Sequence, residues 1–348
     1  MKYLLVLALC LTASLAFDKL VNPNASPEAQ RLYQTLIDNY GKFVLSGQTT
    51  FHYDDFVNQI HEVPMVRGFD MQNYSPHNPW YNWQPADDGT VDSAINWYHT
   101  TTKGQGIVTF FWHWFSPFGG QLRTSTFYTN YTDFDVSKAV VANTAEYNAT
   151  MRDIDAIAVQ LKKLQASKIP VLWRPLHEAG GKWFWWGAKG SASALSLYRI
   201  MFDRITGYHN INNLIWVWST PEADWYPGNL RVDLLGYDSY PGSYNYDCLQ
   251  NMYNQLNKIV QGQKMIAMTE NGPIPEMENC LRQGVKWGLF MSWSDLVFSQ
   301  NSVDHIKAIY ANPVVKTLTH LLETPTEASA GRRKPAGDLS LLTSYNYM

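Results

Sequence analysis

Two glutamates close apolar runs in this 348-residue chain. Glu178 ends Trp173-Arg174-Pro175-Leu176-His177-Glu178, and Glu270 sits in Met268-Thr269-Glu270-Asn271-Gly272. Hydrolysis of a glycosidic bond needs such a pair. One carboxyl group donates a proton to the leaving oxygen; in the retaining version the other attacks from the opposite side, about 5 to 5.5 Å away. A glutamate taken alone is ordinarily a solvated surface residue. Two at the ends of buried-looking segments are harder to assign to the surface, because desolvation and neighbours there set their protonation states apart, which is how acid and nucleophile roles are divided.

The elements that must position them read as short β-branched or apolar runs alternating with longer helical stretches. Eight such runs lie at 43–48, 65–70, 106–113, 170–178, 214–219, 232–240, 265–270 and 287–295. Strands alternating with helices imply parallel βαβ units. Ser26-Pro27-Glu28 starts a helix, with a capping hydroxyl and proline at the first helical position, and Gly41 stops it. Residues 144–164 place Met151, Ile154, Ile157, Ala158, Leu161 and Leu164 on one helical face, and 191–205 do the same with Leu195, Tyr198, Met201, Phe202 and Ile205. Eight such units fit one closed α/β architecture, a (β/α)8 TIM barrel with a single catalytic domain, better than an open doubly wound sheet. Several runs end in polar or aromatic residues: Asp70, His113, His177-Glu178, Asp238 with Tyr240, Glu270 and Trp293. The C-terminal strand ends of such a barrel form one pocket, and strands four and seven face each other across it.

Composition removes other classes of function. The formal net charge of −3 and the absence of a Lys/Arg run exclude a phosphate-backbone partner. Residues 1–16 have the layout of a secretory signal peptide, with a charged start, an apolar stretch from Leu4 and small residues before a cut after Ala16. That stretch is shorter than the ~20 residues that span a bilayer. The expectation is a secreted, extracellular monomer with no membrane partner. Its catalytic domain covers 17–322, and a flexible tail of Thr, Pro, Ala, Gly and basic residues covers 323–348. Cys10 leaves with the leader, so Cys248 and Cys280 remain as an even pair in an oxidising compartment. They follow strands six and seven, in neighbouring loops on the catalytic face, and are expected to form a disulfide beside Glu270. Asn-x-Ser/Thr sequons start at Asn24, Asn73, Asn130 and Asn148, the first two followed by proline. The chain holds 14 Trp, 21 Tyr and 15 Phe, many beside Gly, Asn or His, and flat sugar faces stack on such rings. No paired histidine spacing of the H-E-x-x-H kind and no Gly-rich phosphate loop occurs, so neither metal nor cofactor is expected.

One segment is more specific than composition. Arg174-Pro175-Leu176-His177-Glu178-Ala179-Gly180-Gly181-Lys182-Trp183-Phe184-Trp185-Trp186-Gly187 resembles the acid/base signature of glycoside hydrolase family 26, and Thr269-Glu270 matches that family's nucleophile position. The resemblance covers nearly the whole mature chain, because all eight strand ends can be laid on the family's barrel in order. It implies a retaining endo-β-1,4-mannanase acting on mannan, glucomannan or galactomannan, with Glu178 as acid/base and Glu270 as nucleophile. It also implies that His177 and His113, the latter with Trp112 beside it, contact the sugar in the −1 subsite, that Tyr240 hydrogen-bonds the nucleophile, and that Trp293 is the platform under the −1 sugar. Arg174 would lie beneath the site and hold Glu270 ionised. Trp183, with Trp185 and Trp186, would supply platforms beyond the cleavage point or pack the wall of the same loop. Ala179-Gly180-Gly181 departs from the bulkier residue and Asn that many relatives carry before the glycine, and Asn271-Gly272 departs from the commoner Phe-Gly; both bear on subsite contacts. The family also contains β-1,3-xylanases and mixed-linkage β-glucanases. A catalytically silent barrel that binds carbohydrate is a third reading, and such proteins usually lose one carboxylate.

Overall fold

In the computed structural model, which describes Phe17 and residues 19–323, the eight runs supply eight parallel strands closed into one barrel. They are β1 (Gly47–Thr49), β2 (Val66–Asp70), β3 (Ile107–Phe111), β4 (Val171–Arg174), β5 (Leu214–Trp218), β6 (Leu234–Ser239), β7 (Met265–Asn271) and β8 (Phe290–Ser292). Each pairs with the next in sequence, and Gln48 opposite Ser292 closes the ring. The leader expected over 1–16 lies outside the described residues, as does the tail beyond Glu323, which ends the helix Leu318–Glu323. Among the described residues no helix is long and apolar enough to cross a membrane.

Seven of the eight strands are shorter than the runs that announced them, only β7 running one residue longer, and the reasons are local. The first run divides: Val44–Leu45 pairs with Val315–Lys316 outside the barrel, and Gly47–Thr49 enters it. The fourth run stops at Arg174 because Pro175 has no N–H to give to a ladder. Glu178 therefore stands on a turn four residues past the end of the strand, with Leu176 and Glu178 both in the left-handed region at φ 53° and 54°. Non-glycine residues cost about 1–2 kcal/mol there, so the turn is held by outside contacts.

Helices fill the spaces between strands as the periodicity requires. Ser26 caps Pro27–Asn39, its Oγ accepting from the Ala29 N–H at 3.2 Å, and Gly41 follows at φ 73°. Thr144 caps Ala145–Ala166, whose Ile154, Ile157, Ala158, Leu161 and Leu164 are fully buried, while Met151 is only partly so. Ser191–Phe202 buries Leu197 and leaves Leu195 only partly covered, in place of the Leu195 face expected from periodicity, and widens into a π-helical turn over Asp203–Tyr208. Its Tyr198 packs edge-on against Trp216 and Trp218 of β5 at 5.7 and 5.0 Å.

The ladder between β6 and β7 carries one irregularity that matters for the site. Tyr237 is opposite Met268, yet Asp238 is opposite Glu270, so Thr269 is an extra residue in β7. Such a bulge re-aims the side chains beyond it. Gly236 makes room for it, since a Cβ there would fall 2.3 Å from Thr269 Oγ1.

Cys248 and Cys280 are bonded, with Cα atoms 5.2 Å apart. Cys248 lies in the loop after β6, as expected, but Cys280 is on the short helix Met277–Arg282 rather than in a loop. The bridge closes a 32-residue separation and so restricts the unfolded chain. Replacing both cysteines with serine is expected to lower stability by about 2–4 kcal/mol in urea unfolding. Thiol titration of the unfolded, unreduced protein should find neither sulfur free; two free thiols there would mean the bridge is absent.

Candidate active site

Arg174, the last residue of β4, is 1% exposed and joins three other strand ends. Its Nη2 donates to Glu270 Oε2 at 2.6 Å, and its Nη1 donates to Asp238 Oδ2 at 2.6 Å and to Ser219 Oγ at 3.1 Å. The Tyr240 hydroxyl donates to the other Glu270 oxygen. Both oxygens of this buried carboxylate are thus acceptors in short charge-assisted or hydroxyl bonds. Asp238 also accepts from Thr269 Oγ1 at 2.8 Å, so the bulged residue ties the two acidic strand ends together. Burial pushes Asp238 well above the usual carboxylate range, with Arg174 opposing. Burial, with the charge of Glu270, likewise keeps the Tyr240 hydroxyl protonated as a donor.

Glu178 has a different environment. Its backbone N–H donates to the Ser219 carbonyl at 3.0 Å, which fixes the strained turn to the end of β5. Its Oε2 accepts from Trp183 Nε1 at 2.9 Å. Burial raises its pKa, the negative charge of Glu270 raises it further, and the Trp183 hydrogen bond, Arg174 and His113 oppose. The Trp183 ring lies across Gly181, where a Cβ would come within 2.0 Å of it. That ring is 48% exposed and borders a cavity of about 430 Å3 that Tyr128, Tyr131 and Lys182 also line. Trp185 and Trp186 are fully buried, with indole N–H groups on the carbonyls of Trp114 (2.7 Å) and His177 (2.9 Å). They fasten the loop that carries Glu178 and pack its wall.

His113, just past β3, and His177 meet with Nε2 atoms 3.3 Å apart. His113 Nδ1 is 2.7 Å from Asp70 Oδ2. Burial works against a charge on His113, but Asp70 outweighs it and the pKa rises; burial, Arg174 and His113 together drive His177 well below the ordinary imidazole value. Trp293 follows β8 with its ring 5.1 Å from Phe111 and 5.7 Å from His113. Trp112 stands apart from this histidine pair. It is buried, stacked on Trp114 at 4.0 Å, with its N–H on Ser75 Oγ at 2.8 Å, so its ring meets Trp114 and Ser75 while His177 meets His113. The side chain simply points to the other side of the chain from its neighbour His113. Asp70 and Asp238 were visible in the sequence as strand ends, but nothing there linked Asp70 to His113 or Asp238 to Arg174. Among the described residues no three His, Cys, Asp or Glu side chains gather as a metal site.

The fold and this cluster define a (β/α)8 barrel with an acidic pair on the loop after β4 and at the end of β7, the arrangement that glycosidic-bond cleavage uses. The pattern of glycosyl hydrolase family 26 matches residues 21–319, and the chain belongs to that family. It is 39% identical over 311 residues to a mannan endo-1,4-beta-mannosidase of Thermothelomyces thermophilus, covering 86% of this chain and 62% of that protein. Mannan endo-1,4-beta-mannosidase A of Piromyces sp is 36% identical over 292 residues, covering 81% and 46%. The chain therefore spans about half to three fifths of the length of these two relatives. Among solved structures, a GH26-CBM35 β-(1,4)-mannanase from Podospora anserina superposes with a TM-score of 0.82 at 37% identity, over 89% of this chain and 70% of that one. A β-mannanase from a symbiotic protist of the termite Reticulitermes speratus, complexed with gluco-manno-oligosaccharide, gives 0.79 at 33% identity, over 87% and 98%.

Arg174 offers a direct test of the electrostatic frame. Arg174→Met would leave Glu270 and Asp238 buried without their shared cation, and breaking a buried pair in this way costs about 3–5 kcal/mol. Urea unfolding at neutral pH should show that loss. Equal stability of the two proteins at neutral pH would mean that the guanidinium does not compensate these charges.

Proposed function

We propose that the protein is a secreted, retaining endo-β-1,4-mannanase acting on mannan, glucomannan or galactomannan. The observation that carries this reading is the unequal environment of two carboxyl groups on one barrel end. Glu270 has a donor on each oxygen, and Glu178 is pushed toward its protonated form. In this reading Glu270 attacks the anomeric carbon while Glu178 gives its proton to the departing glycosidic oxygen. Glu178 then takes a proton from water as that water displaces Glu270, so configuration is retained. His113, His177 and Trp293 border the sugar being cleaved, Tyr240 and Arg174 hold the nucleophile, and Trp183 supports the leaving portion of the chain. The choice of mannan is supported by the names of the relatives that match most of this chain. Residues 1–16 are read as the leader, 17–322 as the catalytic domain and 323–348 as a tail, with the protein acting as a monomer.

Reducing-sugar release on glucomannan, galactomannan, β-1,3-xylan and mixed-linkage glucan tests the substrate. Turnover confined to the mannans supports the proposal, and turnover of another glycan alone would replace the substrate. Glu178→Ala is expected to lose about 10²–10⁴-fold on polysaccharide, yet to keep the bond-breaking step on an aryl mannoside whose leaving group needs no proton. Glu270→Ala should lose both; activity in that variant would remove the assignment. Trp183→Phe deletes a hydrogen bond that favours ionised Glu178, so its pKa should rise and the alkaline limb of kcat/KM should move to higher pH. A limb that stays or moves down would show that Glu178 does not control it.

A further inference from the structure

Asp70 ends β2 beside β3, and its two oxygens are used in different ways. Oδ1 accepts the backbone N–H groups of Gln72 and His113, both at 3.0 Å, while Oδ2 faces His113 Nδ1 at 2.7 Å. His113 Nε2 then faces His177 Nε2 at 3.3 Å, with the rings nearly perpendicular at 78°. His177 is 1% exposed, is surrounded by the rings of Phe111, Phe184 and Trp186, and its Nδ1 has no hydrogen-bond partner. A carboxylate only accepts, so His113 must carry its proton on Nδ1 to bond Asp70. Neutral His113 is then left with a lone pair on Nε2, which His177 can fill only with an Nε2–H. That leaves the unpartnered His177 Nδ1 without a proton.

We infer that Asp70 is a positioning residue that sets the tautomers of both imidazoles, through His113 to the buried His177. The role assigned to the pair rests on the reading that these histidines border the sugar being cleaved. Which nitrogen bears the proton is fixed by the bond the other nitrogen makes, and a displaced or reversed donor at a reacting centre costs rate even where the fold is intact. Asp70 touches neither of the proposed catalytic carboxyls, so it would act only through His113.

Asp70→Asn separates this role from a structural one. An asparagine fits the same space, and its Oδ1 can keep both backbone N–H groups. Its Nδ2 would then donate to His113 Nδ1, moving the ring proton to Nε2 and setting two N–H groups against each other at His177. Long-range 1H–15N spectra of the full chain at a pH where the rings are neutral read this directly, with His113→Gln and His177→Gln identifying the signals. His113 should show a protonated Nδ1 in the parent and an unprotonated Nδ1 in Asp70→Asn. On mannan, kcat should fall about 10²-fold with KM changed much less, and the substitution should add almost nothing in a His113→Gln background. A protonated Nδ1 in both proteins, or an equal further loss in that background, would overturn the inference. The ring spectra do not depend on turnover, so a parent protein inactive on mannan would defeat the proposed function while the nitrogen shifts still decide the tautomers.

Discussion

A guanidinium buried between two carboxylates is the interaction on which the rest of this structure depends. Charge taken out of water is costly and is tolerated only with close partners in good geometry. Arg174 meets that condition through its two Nη groups, which donate to three oxygens, Glu270 Oε2, Asp238 Oδ2 and Ser219 Oγ, and leaves only Nε without a partner. Those partners come from β6, β7 and the residue after β5, so the site exists only when four consecutive strand ends are in register. A barrel that closes on itself provides that register without an exposed edge, and places all of its strand ends on one side.

Around that centre the two glutamates are made unequal by construction. Glu270 sits in a strand within the reach of a fixed cation and a tyrosine hydroxyl. Glu178 sits past the strand, on a left-handed turn, with one indole donor and a negative neighbour. The same pair of side chains can therefore divide a proton donor's work from a nucleophile's, because hydrogen bonds to the charged form are concentrated on one of them. The turn's backbone cost is met by neighbouring contacts: the Ser219 carbonyl, the buried rings of Trp185 and Trp186, and the small residues that let Trp183 lie flat over Gly181.

The sequence carried the barrel and the acidic pair because both depend on short-range pattern. Apolar runs of six to nine residues separated by helical periodicity are visible in one dimension, and Glu178 and Glu270 end two of them. What it did not carry depends on which way a side chain turns after a strand stops. Trp112 and His113 are adjacent, yet one is buried against Trp114 and the other faces Asp70, a difference set by packing between strands. Cys280 belongs to a short helix for the same kind of reason: six residues have too little periodicity to distinguish a helix from a loop. The partnerships of Asp70 and Asp238 span 43 and 64 residues, and no spacing rule connects such positions.

The bulge at Thr269 shows why pairing between strands, rather than the strand itself, decides the chemistry. In a regular strand the residues two apart share a face, and Met268 and Glu270 would lie on the same side. The inserted residue breaks that alternation just before the carboxylate, so Met268 stays in the core opposite Tyr237 while Glu270 comes level with Asp238 and reaches Arg174. Thr269, the residue displaced, uses its hydroxyl to bond Asp238 and so stabilises the offset that it creates. Gly236 on the facing strand is the necessary complement, because any side chain there would occupy the volume of the Thr269 side chain. The position of Glu270 is thus fixed by its own neighbour Thr269 together with Asp238 and Gly236 on the adjacent strand.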